Sequence, residues 1–166
     1  MRTRTIITML AVCAFLAAPA YGQKYTYKDS RNYEVVTLGV GTDGTKVFKI
    51  YVTEKNEKKA IALAKKAAVE VCIFRGLPSA GAVSGTPALC SSSDEQKHSA
   101  FFENFFTPGG QYLRYVNITS DGVIPEQDKI KVKGGYKIGL IVQVMYDNLR
   151  NDLQDAGVIR SLNSGF

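Results

Sequence analysis

Residues 134–145 read GGYKIGLIVQVM. In an extended chain, Tyr136, Ile138, Leu140, Val142 and Val144 fall on one side, and Lys137, Gly139, Ile141, Gln143 and Met145 on the other. The first set is apolar throughout and the second is mixed. The stretch therefore predicts a central strand with one fully buried face. Such a strand needs partners along its edges and a cover on its apolar side.

The flanking sequence supplies both. Lys129–Val132 leads into the strand through Gly134 and Gly135, and Tyr112–Thr119 reads as a further strand, with DGVIPEQD (121–128) as loop. Downstream, Asp147 is placed to cap a last helix that carries Leu149, Leu153 and Ala156 and ends at Gly157. Near the start, Tyr33, Val35 and Thr37 alternate with Val36, Leu38 and Val40, while Phe48, Ile50 and Val52 alternate with Val47, Lys49 and Tyr51. GTDG (41–44) lies between the two runs and has the residues of a tight turn, so the pair forms a hairpin.

A helix follows. Thr53 is a suitable N-cap, and Ala60, Ile61, Ala64, Ala67, Ala68, Val71 and Cys72 recur at helical spacing. Glu54 and Glu57 suit the positive end of the helix dipole and Arg75 the negative end; Gly76 and Pro78 stop it. The largely alanine stripe lets this helix lie close against a sheet. A second helix, EQKHSAFFENFF (95–106), which Asp94 can cap, sets His98, Phe101, Phe102 and Phe105 on one side and ends at TPGG (107–110). The order β-β-α-α-β-β-α gives an α+β fold: a mostly antiparallel sheet of about four strands with helices packed on one face.

The N-terminus points to export. Arg2 and Arg4 precede the apolar run IITMLAVCAFLAA (6–18), and Ala20 and Gly22 are the small residues before a cut. Residues 1–22 are expected to be a cleaved secretory signal peptide, too short in its apolar part to span a bilayer. The residue before Cys13 is Val12, which does not suit a lipid-attachment site. Residues 23–32 then form a loose arm, 33–160 a single domain and 161–166 a flexible tail. No second apolar stretch is long enough to cross a membrane. Loss of Arg2 and Arg4 lowers the net charge from +6 to +4, too little to argue for nucleic acid. Lys55, Lys58, Lys59, Lys65 and Lys66 make a basic face on the first helix, either solvated or drawn to an anionic surface. Aromatic residues are not interleaved with them, which argues against base stacking.

Little in the chain resembles catalytic chemistry. In GAVSGTP (81–87), Gly85 is followed by Thr86-Pro87 rather than by the lysine a phosphate cradle requires. His98 is the sole histidine, so any Ser-His or Cys-His site would have to use it. The spacing of Cys72, Cys90 and His98 matches no zinc pattern. No cofactor, metal or catalytic residue is expected.

The stretch Gly76–Cys90 remains. It is long for a connection inside a compact domain, rich in small residues (Gly76, Pro78, Gly81, Gly85, Pro87) and bounded by Cys72 and Cys90. After export these cysteines are an even pair, which reads as one disulfide; because Cys72 lies on an apolar helix stripe, two buried thiols are the other reading. The loop is either a stapled interaction loop or a flexible connector.

Two segments carry a resemblance. KKAIALAKKAAVEVCIFRG (58–76) is an alanine-rich helix with a glycine stop, and GGYKIGLIVQVMYDNLRNDLQDAGVI (134–159) is a long strand, then a helix with Leu149 and Leu153 four apart, then glycine. In order and character they resemble the small α+β envelope domains of the flagellar-assembly-protein T and LPP20-lipoprotein kind. That resemblance implies a non-catalytic part of an envelope assembly and transfers no catalytic residue. The expected function is an exported structural or adaptor component, periplasmic, outer-membrane associated or extracellular, that binds an envelope protein. The alternatives are a stand-alone ligand-binding or inhibitor module and a hydrolase using His98.

Overall fold

The computed structural model describes residues 33–119 and 123–160. The expected signal peptide, N-terminal arm and tail lie outside the described residues. The fold is α+β, as expected. Five strands, β1 (Glu34–Val40), β2 (Lys46–Glu54), β3 (Val116–Ile118), β4 (Lys129–Val132) and β5 (Gly135–Val144), form one sheet in which every pairing is antiparallel. β5 is the centre. One of its edges pairs with β2 from Tyr136 to Val144. The other edge is shared: β4 takes its first part and β3 its last. β1 lies beyond β2 and forms one border of the sheet.

From Ile138 to Val144 the strand behaves as its alternation requires, while Tyr136 at its start is only partly buried. Ile138, Leu140, Val142 and Val144 are buried, and they meet Phe48, Ile50 and Val52 of β2 beneath the helices. On β1 the buried side is Tyr33, Val35 and Thr37, whereas Val36, Leu38 and Val40 are 43%, 46% and 60% exposed. The register of β1 on β2 shifts between Thr37 and Gly39, a bulge at Leu38. Between β1 and β2, Asp43 and Gly44 both have positive φ (55° and 69°), the signature of the tight hairpin turn that GTDG encodes. Over the outer face, Lys49 forms an ion pair with Asp128 at 2.7 Å, which raises the lysine's pKa by hydrogen bonding.

Helix α1 (Glu57–Phe74) packs across β2 and β5. Ala60, Ala64, Ala67 and Ala68 face the sheet fully buried, and their small size permits the close approach. From Lys66 to Ile73 every residue is buried; besides β2 and β5, α1 meets β3 and the 3-10 turn at Gln111–Tyr115. Phe74 meets Phe102 edge-on at 4.8 Å, and Phe102, Phe105 and Phe106 continue into Tyr112 and Tyr115. The last helix, α4 (Tyr146–Asp155), adds Leu149 and Leu153 to the same core.

Several local expectations change. The cap of α1 is Asn56, not Thr53: β2 runs on to Glu54, and the Asn56 side chain accepts from the Lys58 and Lys59 amides. The second helix is two, α2 (Ser92–Lys97) and α3 (Ser99–Phe105), which break at His98. Its cap is Ser91, whose hydroxyl accepts from the Asp94 amide and donates to the Asp94 carboxylate; that bond lowers the Asp94 pKa. Residues 111–115 coil as a 3-10 turn, so β3 begins at Val116 rather than Tyr112. Lys129–Val132 is a strand in its own right, turned onto β5 at Gly134 (φ 92°), which makes five strands and the order β-β-α-α-α-β-β-β-α. Asp147 lies in the first turn of α4, and the capping position is Met145.

Candidate interaction site

The segment Gly76–Cys90 is an ordered ribbon. α1 stops because Gly76 turns left-handed (φ 80°) and its amide donates back to the Val71 carbonyl at 2.7 Å. The chain then doubles back on itself. Leu77 and Thr86 exchange both backbone hydrogen bonds (2.8 and 2.9 Å), as do Ala80 and Val83 (3.0 and 2.9 Å). Gly81, with φ 56°, shapes the tip. On its return the chain serves the end of α1: the Leu89 amide donates to the Cys72 carbonyl and the Cys90 amide to the Ile73 carbonyl. Carbonyls that a helix terminus leaves without an intrahelical donor are thus satisfied by the loop itself.

Two side chains from distant elements fix the ribbon to the body. The Thr37 hydroxyl of β1 donates to the Pro78 carbonyl at 2.6 Å, and the Tyr146 hydroxyl of α4 donates to the Pro87 carbonyl at 2.9 Å. Leu77 is buried beneath. Two glycines are needed for the close backbone crossing. A Cβ on Gly76 would lie 2.8 Å from the Ala88 nitrogen and 2.9 Å from the Pro87 carbonyl carbon, and one on Gly85 would lie 3.0 Å from the Leu77 carbonyl oxygen. Of the ribbon residues singled out in the sequence, Pro78, Gly81, Gly85 and Pro87 are exposed and Gly76 is buried.

The expected disulfide is not formed. Cys72 and Cys90 are both buried thiols. Cys72 points into the core, where burial pushes its pKa up to about 12, and the Cys90 thiol donates to the Ser91 carbonyl. Backbone hydrogen bonds close the loop in place of sulfur.

The ribbon carries no charge: no ionisable side chain other than the Cys90 thiol occurs from Gly76 to Ser93. Through Thr37 it adjoins β1, whose opposite face carries the exposed side chains Glu34, Val36, Leu38 and Val40. The ribbon itself is a neutral, partly apolar surface on a fixed backbone, the kind that binds through shape and burial.

The predicted basic face divides. Lys55, Lys58 and Lys59 are exposed and Lys65 is half-buried. Lys66 does not belong to it: its ammonium lies in the interior, 3.3 Å from Glu70, with the two side chains 5% and 1% exposed. Tyr33 also donates to Glu70, at 3.2 Å, and Arg75 reaches past the helix end to the Tyr33 carbonyl. Helical spacing places Lys66 one residue from Lys65 but on a different side of the cylinder, and nothing local reveals that this side is enclosed.

His98 sits half-exposed at the α2–α3 junction, where its backbone amide donates to the Asp94 carbonyl. Among the described residues no group of three or more His, Cys, Asp or Glu side chains converges as a metal site. A cleft of about 560 Å³ opens between α3 and the 3-10 turn, and its lining, including Phe101, Phe105 and Gln111, has Arg114 as its ionisable residue. No helix among the described residues is long and apolar enough to cross a membrane. The chain matches no protein-family model, no curated protein and no solved structure.

The supports of the ribbon, Thr37 and Tyr146, have no signal in the sequence. They lie 41 and 59 residues from the carbonyls they hold.

Proposed function

We propose that this chain is an exported, non-enzymatic structural or adaptor component of a cell-envelope assembly. It holds an envelope protein through the ribbon Gly76–Cys90 and the adjoining β1. The observation that carries this reading is the ribbon's construction: an uncharged, exposed segment held rigid by paired backbone, two glycine crossings and two side-chain anchors. A connector has no need of that rigidity. A binding element gains from it, because less conformational freedom is lost when the partner docks. The position of β1 at the sheet border adds a row of backbone groups on which a partner strand can pair. The likeness of α1 and β5–α4 to the flagellar-assembly-protein T and LPP20 domains supports the same class of role, and the N-terminal pattern supports export.

Ala82→Glu combined with Ser84→Arg tests this. Both residues are exposed at the tip, and neither has positive φ. The double variant is expected to unfold within about 0.5 kcal/mol of the parent while losing its envelope partner in affinity purification from its own cells. Retention of the same partners in the same yield would contradict the assignment.

A further inference from the structure

We propose that the β4–β5 hairpin, together with the first turn of α1, is a membrane-surface docking tip for anionic phospholipid headgroups. This surface and this ligand are separate from the ribbon and its protein partner.

Strand β4 alternates cation and aliphatic side chain: Lys129, Ile130, Lys131, Val132, Lys133. The turn that follows lies beside the end of β2, where the chain leads into α1: a Cβ on Gly135 would lie 2.7 Å from the Glu54 carbonyl oxygen and 3.2 Å from the Lys55 nitrogen. The fold therefore brings Lys55 and Lys58 beside Lys129, although some seventy residues separate the two segments; Lys59 follows in the same turn of α1, and Lys131 and Lys133 continue from Lys129 along the hairpin. A surface cleft of about 450 Å³ runs between them, lined by Lys55, Lys58, Lys129 and Tyr136 among others. The acidic groups near these six lysines are Glu54, Glu57, Glu126 and Asp128, and Asp128 is already taken up by an ion pair with Lys49. Glu57 is taken up by an ion pair with Lys129, and the Glu54 carboxylate accepts from the Lys55 amide. A positive excess remains.

Charge alone would fit any polyanion. The apolar component favours a bilayer. Ile130 is 52% exposed on the face of the hairpin that it shares with Lys137, and on the opposite face, which carries Lys129 and Lys131, Tyr136 lies under the Lys129 ammonium, 5.0 Å from nitrogen to ring centre. An edge hairpin with lysines on both faces, an aliphatic residue on one and an aromatic residue on the other suits edge-on entry into the headgroup region, where cations meet phosphate and apolar side chains reach the acyl boundary. The surface has no stacked aromatic platform of the kind a nucleic acid uses.

The chain contains no tryptophan, so Ile130→Trp provides a single fluorescent reporter at the tip. Vesicles of phosphatidylglycerol and phosphatidylcholine in equal parts are expected to shift its emission to the blue and to co-float the protein; pure phosphatidylcholine vesicles are expected to do neither. Lysines near an anionic surface contribute additively, so Lys131→Glu with Lys133→Glu should weaken binding by about tenfold or more, and raised salt should weaken it likewise. Lys97→Glu, on α2, should leave it unchanged. The parent protein in flotation and the lysine variants in thermal unfolding guard against artefacts of Ile130→Trp. Equal binding to both vesicle types, no binding to either, or binding indifferent to the Lys131 and Lys133 reversals would overturn the proposal. Capture of an acidic protein at this tip with no vesicle binding would overturn it too.

Discussion

Glu70→Ala is expected to destabilise the protein by about 3–5 kcal/mol, more than any surface substitution should. Glu70 lies in the last turns of α1 at 1% exposure, facing Lys66 one turn earlier at 5%. Truncating the carboxylate removes the charge that Lys66 faces in the interior and the acceptor of the Tyr33 hydroxyl. Replacing the whole group is a different experiment. Lys66→Met, Glu70→Leu and Tyr33→Phe together remove both charges and the hydroxyl while keeping volume, and the triple variant should lie within about 1 kcal/mol of the parent or above it. Urea unfolding measures both, with an unchanged slope confirming that the same surface is exposed. A loss under about 1 kcal/mol for Glu70→Ala would match an exposed ion pair instead, and would contradict the burial of the pair.

The second large effect concerns the start of the ribbon. Gly76→Ala should cost about 2–4 kcal/mol, because two penalties coincide there. The φ of 80° is one that alanine rarely adopts, and its methyl group would run into the backbone at Thr86, Pro87 and Ala88. Gly81→Ala separates the two effects. Gly81 also has positive φ, 56°, but no atom lies within 4 Å of the added Cβ, so only the conformational cost of about 1 kcal/mol applies. Equal losses at the two positions would mean that the ribbon does not cross itself at Gly76. Loss of helicity alongside the Gly76→Ala effect would fit the ribbon's second task, since the Leu89 and Cys90 amides bond to carbonyls at the end of α1.

The sequence is most informative where a single period governs a whole element. The alternation from Tyr136 to Val144 identifies the central strand and its buried side, and the alanine repeat from Ala60 to Ala68 identifies the helix that covers it. Gly76 and Gly157 mark real helix ends, each with positive φ, whereas Gly134, read as part of the lead into the strand, is where β4 turns back onto β5. Expectations fail where tertiary contacts decide. Lys66 reads as surface by type, yet it is enclosed beside Glu70 in the interior. Cys72 and Cys90 suggest a covalent closure by number, yet the loop is closed by amides and carbonyls, which every residue carries and no spacing reveals. Tyr112–Tyr115 alternates like a strand but coils, with Tyr112 and Tyr115 three apart and both turned into the aromatic core. The basic tip is spread over two distant segments and takes form only when β4 folds back onto β5.

Site-specific photocross-linking in the producing cells tests the central claim, that the ribbon is the partner contact. A photoreactive residue is placed at Ala82, at the exposed tip, and in a second strain at Asn117, exposed on β3 at the opposite side of the sheet. The account predicts a discrete adduct with an envelope protein from position 82 and none from position 117. An adduct from position 117 alone, or none from position 82 while the folded protein is present at normal levels, would contradict it.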